Sequence, residues 1–145
     1  IATLIPLGYA IQTSGTADWI GNNIITLVRL FPDQMQPRML LALIYLLTII
    51  LTETSSNAAT AIIVTPIAIV SSINLGLDPR PFIFAVCFAA SASFITPIGY
   101  QTNLMVYGPG GYKFKDFIRV GFPLSVIMWI LGIIFIPVFW PFHLQ

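Results

Sequence analysis

Leu51-Thr52-Glu53-Thr54-Ser55-Ser56-Asn57-Ala58 places six consecutive polar residues between two apolar runs. Residues 39–51 are apolar apart from Tyr45 and Thr48, and 58–72 are largely apolar with Thr60, Thr65 and Pro66 inside. Neither run reaches the roughly 20 residues that a bilayer-spanning helix needs. Gly76, Asp78-Pro79 and Arg80-Pro81 then break the chain. Two half-length helices around a polar tip predict a re-entrant hairpin over 39–73 with its tip at 52–57. Such a hairpin enters and leaves a membrane on one face. A polar tip at that depth is tolerated only where protein buries it or it lines a wet cavity. One long helix carrying a polar patch packed on its neighbours is the other reading of this pattern.

The rest of the chain supports a membrane setting. Of its 145 residues, 57% are hydrophobic and 8% are charged, against about 25% charged in a soluble domain. The six Lys/Arg and five Asp/Glu are clumped, and 1–17, 54–77, 81–112 and 120–145 carry none. Such a chain cannot supply a wet surface, which excludes a cytosolic enzyme, a nucleic-acid binder and a disordered protein. A net charge of +1 gives no electrostatic case for a polyanionic partner. One cysteine, Cys87, and one histidine, His143, leave disulfide, zinc and Ser-His-Asp chemistry without residues. Cys87 reads as core and His143 as an exposed tail residue.

Residues 1–11 read as the end of a transmembrane helix that began upstream. No basic segment precedes this apolar start, so it is not a signal peptide. After a polar turn, Ile20, Ile24, Leu27 and Val28 give 16–31 the spacing of an interfacial helix. Residues 82–107 read as a transmembrane helix broken at 96–103, Thr96-Pro97-Ile98-Gly99-Tyr100-Gln101-Thr102-Asn103. Pro97 removes a donor there and Gly99 permits unusual dihedrals. Gly108-Pro109-Gly110-Gly111 ends that element, and Lys113, Lys115, Asp116 and Arg119 form an interfacial loop. Residues 117–140 are the last span, with Trp129 mid-span and Tyr112 and Trp140 suited to the two interfaces. The expected fold is an all-α polytopic membrane protein of which this chain is the C-terminal part.

Two interrupted apolar segments in one bundle are a pointer to a transporter binding site. Where a helix restarts, its first N–H groups lack partners and its dipole is positive. Helices restarting at Ala58 and Leu104 would therefore aim N–H groups at an anion. Thr52, Ser55, Ser56, Asn57, Gly99, Gln101, Thr102 and Asn103 supply oxygens or carbonyls for a small hard cation. Neither break contains Lys or Arg. An anion bound there is held by dipoles, hydroxyls and co-bound cations, which favours cotransport with several cations. Asn57 and Asn103 are costly in hydrocarbon unless bonded, so each serves the site, caps a helix, or does both. Thr52, Ser55 and Thr102 have the alternative of bonding back to a helix turn. Intramembrane ionisable groups are functional by default. Glu53 therefore either handles a proton or sodium, or hydrogen-bonds the hairpin tip.

Leu51-Thr52-Glu53-Thr54-Ser55-Ser56-Asn57-Ala58-Ala59-Thr60-Ala61, with the apolar run to Pro66, resembles a known motif. It is similar to the second Ser-Asn-Thr hairpin of the divalent anion:sodium symporters, the DASS family of the ion transporter superfamily. Ser91-Ala92-Ser93-Phe94-Ile95-Thr96-Pro97 through Asn103 resembles that family's second broken helix. Tyr107-Gly108-Pro109-Gly110-Gly111-Tyr112-Lys113-Phe114 through Gly121 resembles its loop into the last helix. The resemblance implies an inverted-repeat elevator transporter, usually a homodimer, with an N-terminal repeat outside this chain. It implies that Ser56 and Asn57 hold the substrate, with Ala58 standing where the motif has Thr. Thr102 and Asn103 complete the expected substrate set. Thr52, Ser55, Asn57 and Gly99 are implied for the second sodium site, mostly through backbone carbonyls, with Na+ as coupling ion.

Ala58 and the Gly99-Tyr100-Gln101-Thr102-Asn103 break look most like the sulfate-type permeases that carry cytosolic regulatory domains. The expected function is sodium-coupled symport of a divalent oxyanion, sulfate first, in a bacterial inner membrane. The alternatives are a di- or tricarboxylate symporter, a sodium/proton antiporter working through Glu53, and a non-transporting membrane scaffold. Lys113, Lys115 and Arg119 favour a cytoplasmic 108–119 loop, against the more scattered Arg29, Arg38 and Arg80 on the opposite face.

Overall fold

The computed structural model of the chain describes residues 5–142. Residues 1–4 of the expected first helix, and His143, lie outside the described residues. Within them the chain forms seven helices and no strand. In order these are α1 (Ile5–Thr13), α2 (Thr16–Val28), α3 (Gln36–Thr52), α4 (Asn57–Asn74), α5 (Arg80–Ala90), α6 (Gln101–Tyr107) and α7 (Phe114–Phe139).

Local chemistry sets most of the boundaries. Pro37 and Pro81 open α3 and α5 near their first positions, where a missing N–H is harmless. The Ser56 hydroxyl caps α4 by accepting the Ala59 N–H at 3.2 Å. Gly76, at φ 70°, lets the Leu77 N–H turn back to the Ser72 carbonyl at 2.9 Å and closes the same helix. Asp116 starts α7 by accepting the Lys113 N–H at 2.7 Å.

α3 and α4 fold back on each other across the four residues 53–56, and α5 packs against both. α1 and α2 lie against α4, and α7 lies against α3 and α5. The shared core holds Leu40, Leu41, Ile44, Tyr45, Val64, Phe82 and Val86. Ala85 and Ala89 keep the α5 backbone close to its neighbours. Two contacts dock α7. Gly132 leaves room for the Tyr45 ring, which a Cβ would meet at 2.5 Å. The Trp129 indole donates to the Ala42 carbonyl at 3.0 Å. At the far end, Trp140 stacks on Phe84 with centroids 4.0 Å apart.

By length and composition, α4 and α7 are long and apolar enough to cross a membrane. α7 leaves Val120, Phe122, Ile127, Ile134, Phe135 and Val138 exposed. In water that face would be an aggregation site; against lipid it is the ordinary outcome.

The helices differ from the expected ones in extent. The first hairpin arm has 17 residues and the second 18, longer than the half-length runs read from hydropathy. Thr52 and Asn57 are the last and first helical residues, so the tip shrinks to 53–56. α2 stops at Val28 and α7 begins at Phe114. The larger correction concerns the expected break at 96–103. α5 ends at Ala90 and helix resumes at Gln101, so the break is 91–100. Gln101, Thr102 and Asn103 are helical rather than unwound, and the helix restarts before Leu104. The cause is tertiary. The N–H groups of Ile95 and Thr96, which a continuing helix would use, are bound by the Glu53 carboxylate.

Candidate functional site

The tip of the α3–α4 hairpin sits against the 91–100 break. Thr52, at the end of α3, is fully buried. Its hydroxyl lies 2.7 Å from the Ala90 carbonyl and 2.9 Å from Asn57 Oδ1. One proton thus faces two acceptor oxygens, and three oxygens from three helix ends converge. Ser93, 3% exposed, donates its hydroxyl to the Thr52 carbonyl at 3.2 Å. Among the described residues the Asn57 amide nitrogen makes no hydrogen bond, which leaves it free to donate.

Glu53 follows directly. Its Oε1 accepts the Ile95 N–H at 2.9 Å and its Oε2 accepts the Thr96 N–H at 2.8 Å. Its carbonyl accepts the Thr96 hydroxyl at 2.9 Å. Thr96 Oγ1 also accepts the Gly99 N–H at 3.1 Å. Gly99 is buried at this junction. A Cβ there would collide with the Ser93 hydroxyl and stand 3.0 Å from Glu53 Oε2, which is why the position takes glycine.

Asn103, in the first turns of α6, reaches back across the break. Its amide donates to the Ser93 and Thr96 carbonyls at 3.1 and 3.2 Å. It also lines an apolar cavity of about 460 Å³ with Phe94, Tyr112, Asp116, Phe117 and Gly121.

The structure therefore gathers Thr52, Asn57, Gly99 and Asn103 around one junction. Ser56 and Ala58 are exposed at the start of α4, on the tip's open side. Ser55 is half-buried with no side-chain hydrogen bond among the described residues. Thr102 and Gln101 are exposed on α6 and make none either, so they stand apart from the gathered set. Ala90, Ser93 and Thr96 belong to the junction and were missed as site residues. The recurrence of hydroxyls at Ser91, Ser93 and Thr96 in an apolar stretch was the available signal. Of the two roles open to Glu53, the geometry displays the hydrogen-bonding one.

The family model for the sodium:sulfate symporter transmembrane region matches residues 1–144. An uncharacterized transporter of Synechocystis is 50% identical over 128 residues, 88% of this chain and 20% of that protein. Sodium/sulfate cotransporter 1 of Chlamydomonas reinhardtii is 34% identical over 132 residues, 91% of this chain and 15% of that protein. A sodium-dependent dicarboxylate transporter of Staphylococcus saprophyticus is 27% identical over 135 residues, 91% of this chain and 25% of that protein. The chain thus spans a quarter or less of the length of these relatives. The match of that model to residues 1–144 places this membrane protein in the sodium:sulfate symporter (DASS) family.

Proposed function

We propose that this chain is the C-terminal part of a secondary transporter that couples inward sodium movement to uptake of a divalent oxyanion, sulfate first. The observation that carries the proposal is the junction itself. It offers hydroxyl and carbonyl oxygens from Thr52, Asn57 and Ala90 within 2.9 Å of one another's shared centre, Thr52 Oγ1. Its one ionisable group is the Glu53 carboxylate, and neither break holds a basic side chain. A dianion alone would meet net negative charge there. Monovalent cations bound beside it reverse that sign, so anion and cation binding support each other.

In this reading Ser56 and Asn57 present a hydroxyl, an amide and the α4 N-terminus to the anion. Ala58 removes one hydroxyl from that face, and Thr102 and Asn103 approach from α6. Thr52, Ser55, Asn57 and Gly99 serve a sodium ion, largely through carbonyls. The hairpin is re-entrant, an N-terminal repeat of the same protein supplies the facing half, and the assembly is a homodimer in a bacterial inner membrane. The 108–119 loop is cytoplasmic.

The relative named a sodium-dependent dicarboxylate transporter supports a carboxylate as the second substrate reading. The two are separated with the full-length protein in proteoliposomes, by sodium-driven uptake of labelled sulfate with unlabelled succinate as competitor. Uptake that resists succinate supports sulfate. Uptake abolished by succinate, together with sodium-driven succinate entry, replaces sulfate with a dicarboxylate. An antiporter reading would need Glu53 to exchange protons, and both its oxygens are engaged by backbone N–H groups.

A further inference from the structure

Glu53 is 6% exposed and, among the described residues, has no cationic partner. The one ion pair among the described residues joins Arg80 to Asp78. The Glu53 charge is met instead by two backbone N–H groups 42 and 43 residues away. An ionised carboxylate has acceptors only and can take both; a neutral acid or an amide would turn a donor toward one of them. Charge-assisted bonds of this kind are the stronger class. The Thr96 hydroxyl closes the same loop from the other side, onto the Glu53 carbonyl.

We propose that Glu53 is a positioning residue that latches the hairpin tip to the 91–100 break, holding the two halves of the site in register. Glu53 is also the only acidic or basic residue in the two breaks. Its negative charge adjoins Gly99, so it favours a cation there. This functional consequence rests on the transport reading above, whereas the latch itself does not.

The test uses the full-length protein carrying Glu53→Gln. Hydrogen exchange is followed at the Ile95 and Thr96 amides, and uptake is measured in proteoliposomes. Exchange at those amides is expected to speed up by about tenfold or more, with α7 unchanged. Half-saturating sodium is expected to rise by about tenfold, while the anion KM at saturating sodium stays within about threefold. Unchanged exchange at Ile95 and Thr96 would overturn the latch. Lower uptake with both constants unchanged would overturn the link to the cation. If Glu53→Gln does not fold, Gly99→Ala displaces the same carboxylate and is expected to speed exchange at the same two amides. Unchanged exchange there also counts against the latch. Wild-type protein that shows no sodium-driven uptake removes the transport reading and leaves the exchange measurement to decide the latch.

Discussion

Thr52 and Asn57, the last residue of α3 and the first of α4, are joined by a 2.9 Å contact from hydroxyl to amide oxygen. The same hydroxyl reaches the Ala90 carbonyl at the end of α5. Replacing Thr52 by Val keeps the shape and removes the only proton between these oxygens. The expected loss is about 1–3 kcal/mol of stability, because a buried carbonyl is left without a donor. Thr52→Ser keeps the hydroxyl and is expected to lose less than half as much. Thermal unfolding of the two variants in detergent checks the order.

Ser56 is exposed at the start of α4 and caps it through the Ala59 N–H. Asp caps a helix about as well as Ser. Ser56→Asp is therefore expected to hold stability within ~0.5 kcal/mol while abolishing anion uptake by charge repulsion. Retained uptake in this variant would move the anion away from the α4 N-terminus.

Gly121 of α7 packs directly on the Phe94 carbonyl, which a Cβ would strike. That neighbour is backbone and cannot rotate away. Gly121→Ala is expected to destabilise by about 1–3 kcal/mol or to displace α7 from the break. Gly108, where a Cβ meets nothing within 4 Å, is the control. Gly108→Ala is expected to stay within ~0.5 kcal/mol. Denaturation midpoints of the pair test the contrast.

Outside the helices, Asp78 accepts the Arg80 side chain at 2.8 Å and the Arg80 N–H at 3.0 Å. The Arg80 side-chain bond, followed by the backbone bond, holds the Asp78 carboxyl below its ordinary range. A carboxyl lowered by folding adds stability above its unfolded value of about 3.9. That stability is lost as pH falls through the lowered value. The loop should therefore show no change from this pair between pH 5 and 8, and Asp78→Asn should flatten the acid limb of a stability–pH curve.

Much of this arrangement was legible in the sequence. Six polar residues at 52–57 stand where the structure has the four-residue turn 53–56, because Ser56 caps α4 by a local bond. The second break was displaced because its cause is not local. Nothing near Ile95 announces that its N–H pairs with a side chain 42 residues earlier. The Ala90 carbonyl was equally invisible, since only its approach to Thr52 gives it a role. Thr102 and Asn103 look alike in sequence. They separate in structure because α6 turns Asn103 toward the Ser93 and Thr96 carbonyls and leaves Thr102 exposed.

Labelled sulfate uptake by the full-length protein in proteoliposomes, with and without an inward sodium gradient, bears most directly on sodium-coupled anion transport through this junction. Wild type and Asn57→Ala are compared at equal amounts of folded protein. Sodium-driven uptake in wild type that collapses in Asn57→Ala is the expected result. Uptake that ignores sodium, or that survives intact in Asn57→Ala, would contradict it.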